Sequence, residues 1–191
     1  IQSVDGNITV TADNNISLSD GTLIDAGSGT ITLSADGDIT LGRLLTTNDS
    51  TAAVRLTSTA GEIVDGGDTG GADVQATSGR LVIASATGVG ASNALETKVD
   101  SLEVVNATSG HISISDASTD ALLVVNAVQQ TAGNLQIVSD GTLTVVDNGV
   151  AGNAVATVDG TVTLEAVAAQ VNDGIQSVDG NITVTADNNI S

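Results

Sequence analysis

A recurring start shapes what this chain can become. Gly6 opens Gly-Asn-Ile-Thr-Val-Thr-Ala and Gly29 opens Gly-Thr-Ile-Thr-Leu-Ser-Ala. Ala52 opens Ala-Ala-Val-Arg-Leu-Thr-Ser, and Gly79, Gly110, Gly133, Gly160 and Gly180 each precede the same alternation of outward polar and inward aliphatic residues. Period-two alternation is the pattern of a strand with one face in a core and the other in water. Successive starts lie 23, 23, 27, 31, 23, 27 and 20 residues apart. Repeats of that length stack into solenoids, because one unit cannot bury its own apolar face.

A longer period encloses the short one. Ile1–Ser17 returns letter for letter as Ile175–Ser191, an offset of 174 residues. The chain therefore reads as one full unit, 1–174, followed by the start of a second, 175–191. Composition then decides between fold classes. Hydrophobic residues make up 40% of the chain, yet Phe, Trp, Tyr, Pro, Cys and Met are all absent. An interior of Val, Ile, Leu and Ala alone suits a thin core, one side chain deep from each wall, and a thick globular core normally draws on aromatics. Pro cannot donate to a hydrogen-bonded ladder, so its absence fits continuous pairing. The expected fold is all-β, a parallel β-helix of about seven coils of 20–31 residues per 174-residue period. Seven parallel coils at roughly 4.8 Å each would advance about 34 Å. A tandem β-sandwich, with Asp-Gly read as hairpin turns, is the rival.

Eight Asp-Gly pairs punctuate the strands, at Asp5, Asp20, Asp36, Asp65, Asp140, Asp159, Asp173 and Asp179. Asp tolerates left-handed backbone and Gly adopts it at no steric cost, so these pairs are expected at corners.

The formal net charge is −19, with only Arg43, Arg55, Arg80 and Lys98 on the basic side. Phosphate binding needs clustered cations, so a nucleic-acid partner is not expected, nor is an anionic membrane surface. No apolar run reaches the length of a transmembrane helix, so no direct membrane insertion is expected. Zero Cys excludes disulfides and thiolate metal sites.

The runs Gly6–Leu23 and Gly29–Gly42 resemble the repeats of filamentous-haemagglutinin-type adhesins, large bacterial exoproteins. The resemblance is strongest over Gly6–Leu56 and Gly133–Ala186 and weaker over the Gly-rich stretch Gly61–Thr108. It implies a right-handed parallel β-helix, secretion to the cell surface or beyond, and a role in adhesion or matrix formation. On this basis the chain is expected to be a structural segment of an extracellular fibre, surface filament or adhesin stem. Its first partners are neighbouring copies of the same repeat stacked end to end. The alternatives are a glycan- or Ca²⁺-binding adhesive module, with host or matrix glycans as partners, and a short subunit polymerising end to end.

Candidate chemistry is sparse. Asp65, Asp68 and Asp73 sit in the Gly-rich stretch Asp65-Gly-Gly-Asp-Thr-Gly-Gly-Ala-Asp73, which has the oxygen donors for Ca²⁺ but not the strict calcium-nonapeptide spacing. A plain corner loop is the alternative. The Thr9/Thr11, Thr30/Thr32 and Thr161/Thr163 pairs suggest a regular Thr surface, but Arg55, Arg80 and His111 interrupt it. His111, the one histidine, is expected as an exposed strand residue. Asn7, Asn15, Asn48, Asn106, Asn181 and Asn189 head N-x-S/T sequons, which matter only in a glycosylating compartment. No catalytic residues and no resident cofactor are expected, since Cys is lacking and most Asp lies in corners.

Overall fold

A computed structural model describes residues 1–147, 149 and 152–191. It is a β-solenoid of about eight turns with no helix among the described residues. Every strand pair is parallel, which removes the β-sandwich.

In the lower coils each turn contributes three short strands, one to each of three faces. The first turn places Ile8–Ala12 on the first face, Ile16–Ser17 on the second and Leu23–Asp25 on the third. The second turn stacks Ile31–Ala35, Ile39–Leu41 and Arg43–Leu45 directly above them. Alternation sets the inward side: Ile31, Leu33 and Ala35 are buried while Thr32 and Ser34 are half-exposed. Higher up, single strands run round a corner. Leu95–Asn106 covers the third face and then the first, with a register shift between Val99 and Ser101 where it bends.

One continuous aliphatic core runs the length of the stack, and Ile31, Leu33, Ile39, Leu56, Ile63, Leu102, Leu135 and Ile137 within it have no exposed surface. Burying each such side chain contributes roughly 1.5–3 kcal/mol. The coil-start glycines explain themselves by contact. A Cβ on Gly133 would stand 1.8 Å from the Gly110 carbonyl oxygen, and one on Gly180 would stand 1.8 Å from that of Gly160. Backbones touch there, so a side chain has no room.

Two polar columns accompany the apolar ones. The first seals the end of the first face. Ala35 pairs with Ser58, Ser85 with Asn106, Asn106 with Gln129 and Gln129 with Thr157. All but Ala35 are buried polar residues, and each finds a partner. The Ser58 hydroxyl donates to the Gly37 carbonyl at 2.7 Å, the Thr157 hydroxyl to that of Gly133 at 2.8 Å, and the Asn106 amide to Gln129 Oε1 at 2.8 Å. In the second, a side chain at the mouth of a strand accepts the backbone N–H of the residue stacked above. Asn7 receives Thr30, Asn15 receives Asp38, Asp38 receives Glu62 and Asn134 receives Thr161. His111 occupies the same position, its Nδ1 accepting the Asn134 N–H at 2.9 Å.

Two expectations need correction. No non-glycine residue has positive φ, so no Asp adopts left-handed backbone, and Asp140-Gly141 lies inside the continuous strand Leu135–Val145. That strand bends at a register shift between Ser139 and Thr142 instead of turning.

The second correction concerns phase. The second-face column runs Ile16, Ile39, Ile63, Val89, Ile112, Leu135, Val162, Ile182. Thus Gly6, Gly29, Ala52 and Gly79 precede strands of the first face, while Gly110, Gly133, Gly160 and Gly180 precede strands of the second. The 31-residue interval from Gly79 to Gly110 is not one long coil. From Leu81 it passes Val89 and Leu95, returns to the first face at Leu102 and goes on to Ile112, about one and a third turns. One 174-residue period therefore spans about seven and a third turns: Ile8 lies on the first face, and its duplicate Ile182 lies on the second.

Candidate functional site: an acidic corner

Most corners are tight. Between the second and third faces of the second coil, Gly42 alone separates Ile39–Leu41 from Arg43–Leu45. At that same corner the next two coils bulge outward. The third coil leaves Ile63–Asp65 and re-enters at Val74, and the fourth leaves Val89 and re-enters at Leu95. The two excursions, residues 66–73 and 90–94, lie on successive coils.

Small residues allow the lower excursion. Gly70 and Gly71 have φ of 95° and 90°, a left-handed backbone that a side chain would strain. Asp20, two coils below, pins the loop by accepting the Thr69 N–H at 2.9 Å and the Thr69 hydroxyl. Asp65 caps its start, accepting the Gly67 N–H at 2.6 Å.

Three carboxyl groups converge between the bulges. Asp65, Asp73 and Glu96 each offer an oxygen, and all three oxygens lie within 4.8 Å of one another. Strand stacking produces the convergence. Val74 pairs with Thr97, so Glu96 stands over Asp73, and the Glu96 N–H donates to Asp73 Oδ2 at 3.1 Å. This is the strand-mouth contact of Asn7 and Asn134, made here by a charged residue. Asp73 is 1% exposed and its Oδ1 has no hydrogen-bond donor, while Asp65 is 9% exposed. From the upper bulge, Asn93 Nδ2 donates to Asp65 Oδ2 and reaches Asp68 Oδ1 at 3.5 Å. Asp68 itself is exposed, at the rim of an open depression of about 340 Å³ that Asn93, Glu96 and Lys98 also line.

The electrostatics follow from crowding. Burial, reinforced by the Asp65 carboxylate, raises the Asp73 carboxyl to about 8, against the lowering effect of the Glu96 N–H. Burial also raises Glu96, with Asp65 and then Asp68 adding to it. The one ion pair among the described residues, Arg80 with Glu103 at 3.6 Å, lies elsewhere, so no cationic side chain neutralises the trio.

The structure therefore brings together Asp65 and Asp73 of the sequence-predicted candidates and leaves Asp68 at the rim. It adds Glu96 and Asn93, which come from the following coil. His111 is exposed and is occupied as a backbone acceptor. The Thr pairs alternate outward on their strands among other polar residues. Compared with models of protein families, with curated proteins and with solved structures, the chain matches none.

Proposed function

We propose that this chain is a structural segment of an extracellular fibre or adhesin stem, assembled from tandem 174-residue β-solenoid units, and that its role is mechanical rather than catalytic. The observation that carries this reading is how the two identical 17-residue stretches are covered. Ile8 and Ile16 are buried under the coil that follows them, at 8% and 6% exposure, while their duplicates Ile182 and Ile190 are 45% and 55% exposed. Ile1 is 65% exposed, while its duplicate Ile175 is half-buried on the coil below. What one copy lacks below, the other has, and the reverse holds above. A further coil like residues 18–45 would pair with the upper copy as it pairs with the lower.

Stiffness then comes from unbroken aliphatic columns and parallel hydrogen bonding, and stability grows with the number of coils. The net charge of −19 supports solubility and opposes sideways association of such a β-rich rod. A surface location agrees with the adhesin-like repeat pattern. The test is the mass of the native polypeptide after full denaturation. Masses stepping by one 174-residue unit between repeat variants are expected. A mass near 191 residues would overturn the covalent array and favour short subunits stacking through their open ends.

A further inference from the structure

We propose that Asp65, Asp73 and Glu96, assisted by Asn93, form a binding site for a hard divalent cation, Ca²⁺. The proposal is independent of the fibre reading, since it concerns one corner of two coils.

The first ground is geometric. Three carboxylates from three separate points of the chain meet within 4.8 Å, on two coils locked by strand pairing. An ion at the usual Ca²⁺–oxygen distance of about 2.3–2.6 Å bridges oxygens up to about 5 Å apart, whereas Mg²⁺, at about 2.1 Å, spans about 4 Å. The donors are all oxygen, which suits hard cations and not zinc or copper. The loops are Gly-rich and irregular, which suits the tolerant coordination of Ca²⁺ better than the strict octahedron of Mg²⁺.

The second ground is Asp73 Oδ1. A buried carboxylate oxygen with no donor costs free energy, and in this chain it belongs to the acid at the bottom of the cluster. One of its oxygens takes the Glu96 N–H, leaving the other for the space between the carboxyl groups. No Lys or Arg pairs with the trio among the described residues. A cation would neutralise all three acids at once. Rotation of the Asn93 amide about its last bond would turn its carbonyl oxygen to the same space.

The site would clamp two coils together where both leave the regular path. Calcium titrated calorimetrically into chelator-treated protein near neutral pH is expected to give one saturable event. The unfolding temperature should rise by several degrees with millimolar Ca²⁺. D73N and E96Q should each abolish both responses while keeping the far-ultraviolet dichroism of a β-fold. D73N removes a buried charge, so its calcium-free form is expected to be at least as stable as the wild type. A D13N/D179N control, which removes two exposed acids elsewhere, should keep the full response. Absence of a saturable event, or an equal temperature shift in D73N, would overturn the site and assign any binding to diffuse surface charge. Neither result alters the denatured mass, so this reading and the fibre reading fail separately.

Discussion

Asp73 shows how one residue can set a condition on the whole corner. The folded chain keeps its carboxyl protonated up to about pH 8, whereas an ordinary Asp releases its proton near 3.8. Between those values the folded state binds more protons than the unfolded state. In calcium-free buffer, stability is therefore greatest at the acid end of this window and falls as pH rises through it, by at most about 1.4 kcal/mol per unit. Denaturant midpoints measured from mildly acid to mildly alkaline pH should show that decline. D73N should lose its share of it, and an unchanged slope in D73N would remove Asp73 as the source. Asp116, also raised mainly by burial, contributes a residual slope of the same sign.

At the scale of the strand, inward and outward positions differ sharply in consequence. Ile137 is fully buried at the centre of Leu135–Val145, and Asn134 lies exposed just before it. I137A should cost about 2–5 kcal/mol through lost burial and a residual cavity. N134A loses the acceptor of the Thr161 N–H at 3.0 Å and hydroxyl at 2.9 Å, and should cost about 1 kcal/mol. Unfolding of both variants by urea checks the order, and equal losses would show that the side-chain ladder rivals the core. Strand positions were legible in the sequence for this reason: Ile8, Ile31, Leu135 and Val162 announce their inward face by period two. The change of face between Gly79 and Gly110 was not. Strands of the first and second faces carry the same Gly-x-aliphatic start, and Val89, held by isolated bridges, has no strand pattern around it. The acidic corner was half legible for a related reason. Asp65 and Asp73 stand in one Gly-rich run, while Glu96 sits 23 residues beyond Asp73, one coil higher, at what reads as an ordinary outward position. Only a turn-by-turn alignment reveals that 73 and 96 are stacked.

For the whole molecule, contacts run almost entirely between successive coils, so stability should be graded along the axis. Hydrogen exchange should protect the amides of Ile31–Ala35, Val54–Ser58 and Ile112–Asp116 most strongly. Those of residues 1–6 and 182–191 should exchange first, because they are covered on one side only. Uniform protection from end to end would instead indicate a single all-or-none unit.

The odd third of a turn per period gives the rod a symmetry. Ile8 and Ile182 are the same residue displayed in two directions. In a run of such periods, neighbouring copies would be related by a screw operation: a rise of about 35 Å, from about seven and a third parallel spacings, with a rotation of about one third of a revolution. Three copies, about 105 Å, would bring a given side chain back to its starting azimuth. A corner such as that of Asp73 would then wind round the rod as a sparse spiral, facing every direction in turn, where a whole number of turns would have drawn it out as a single seam.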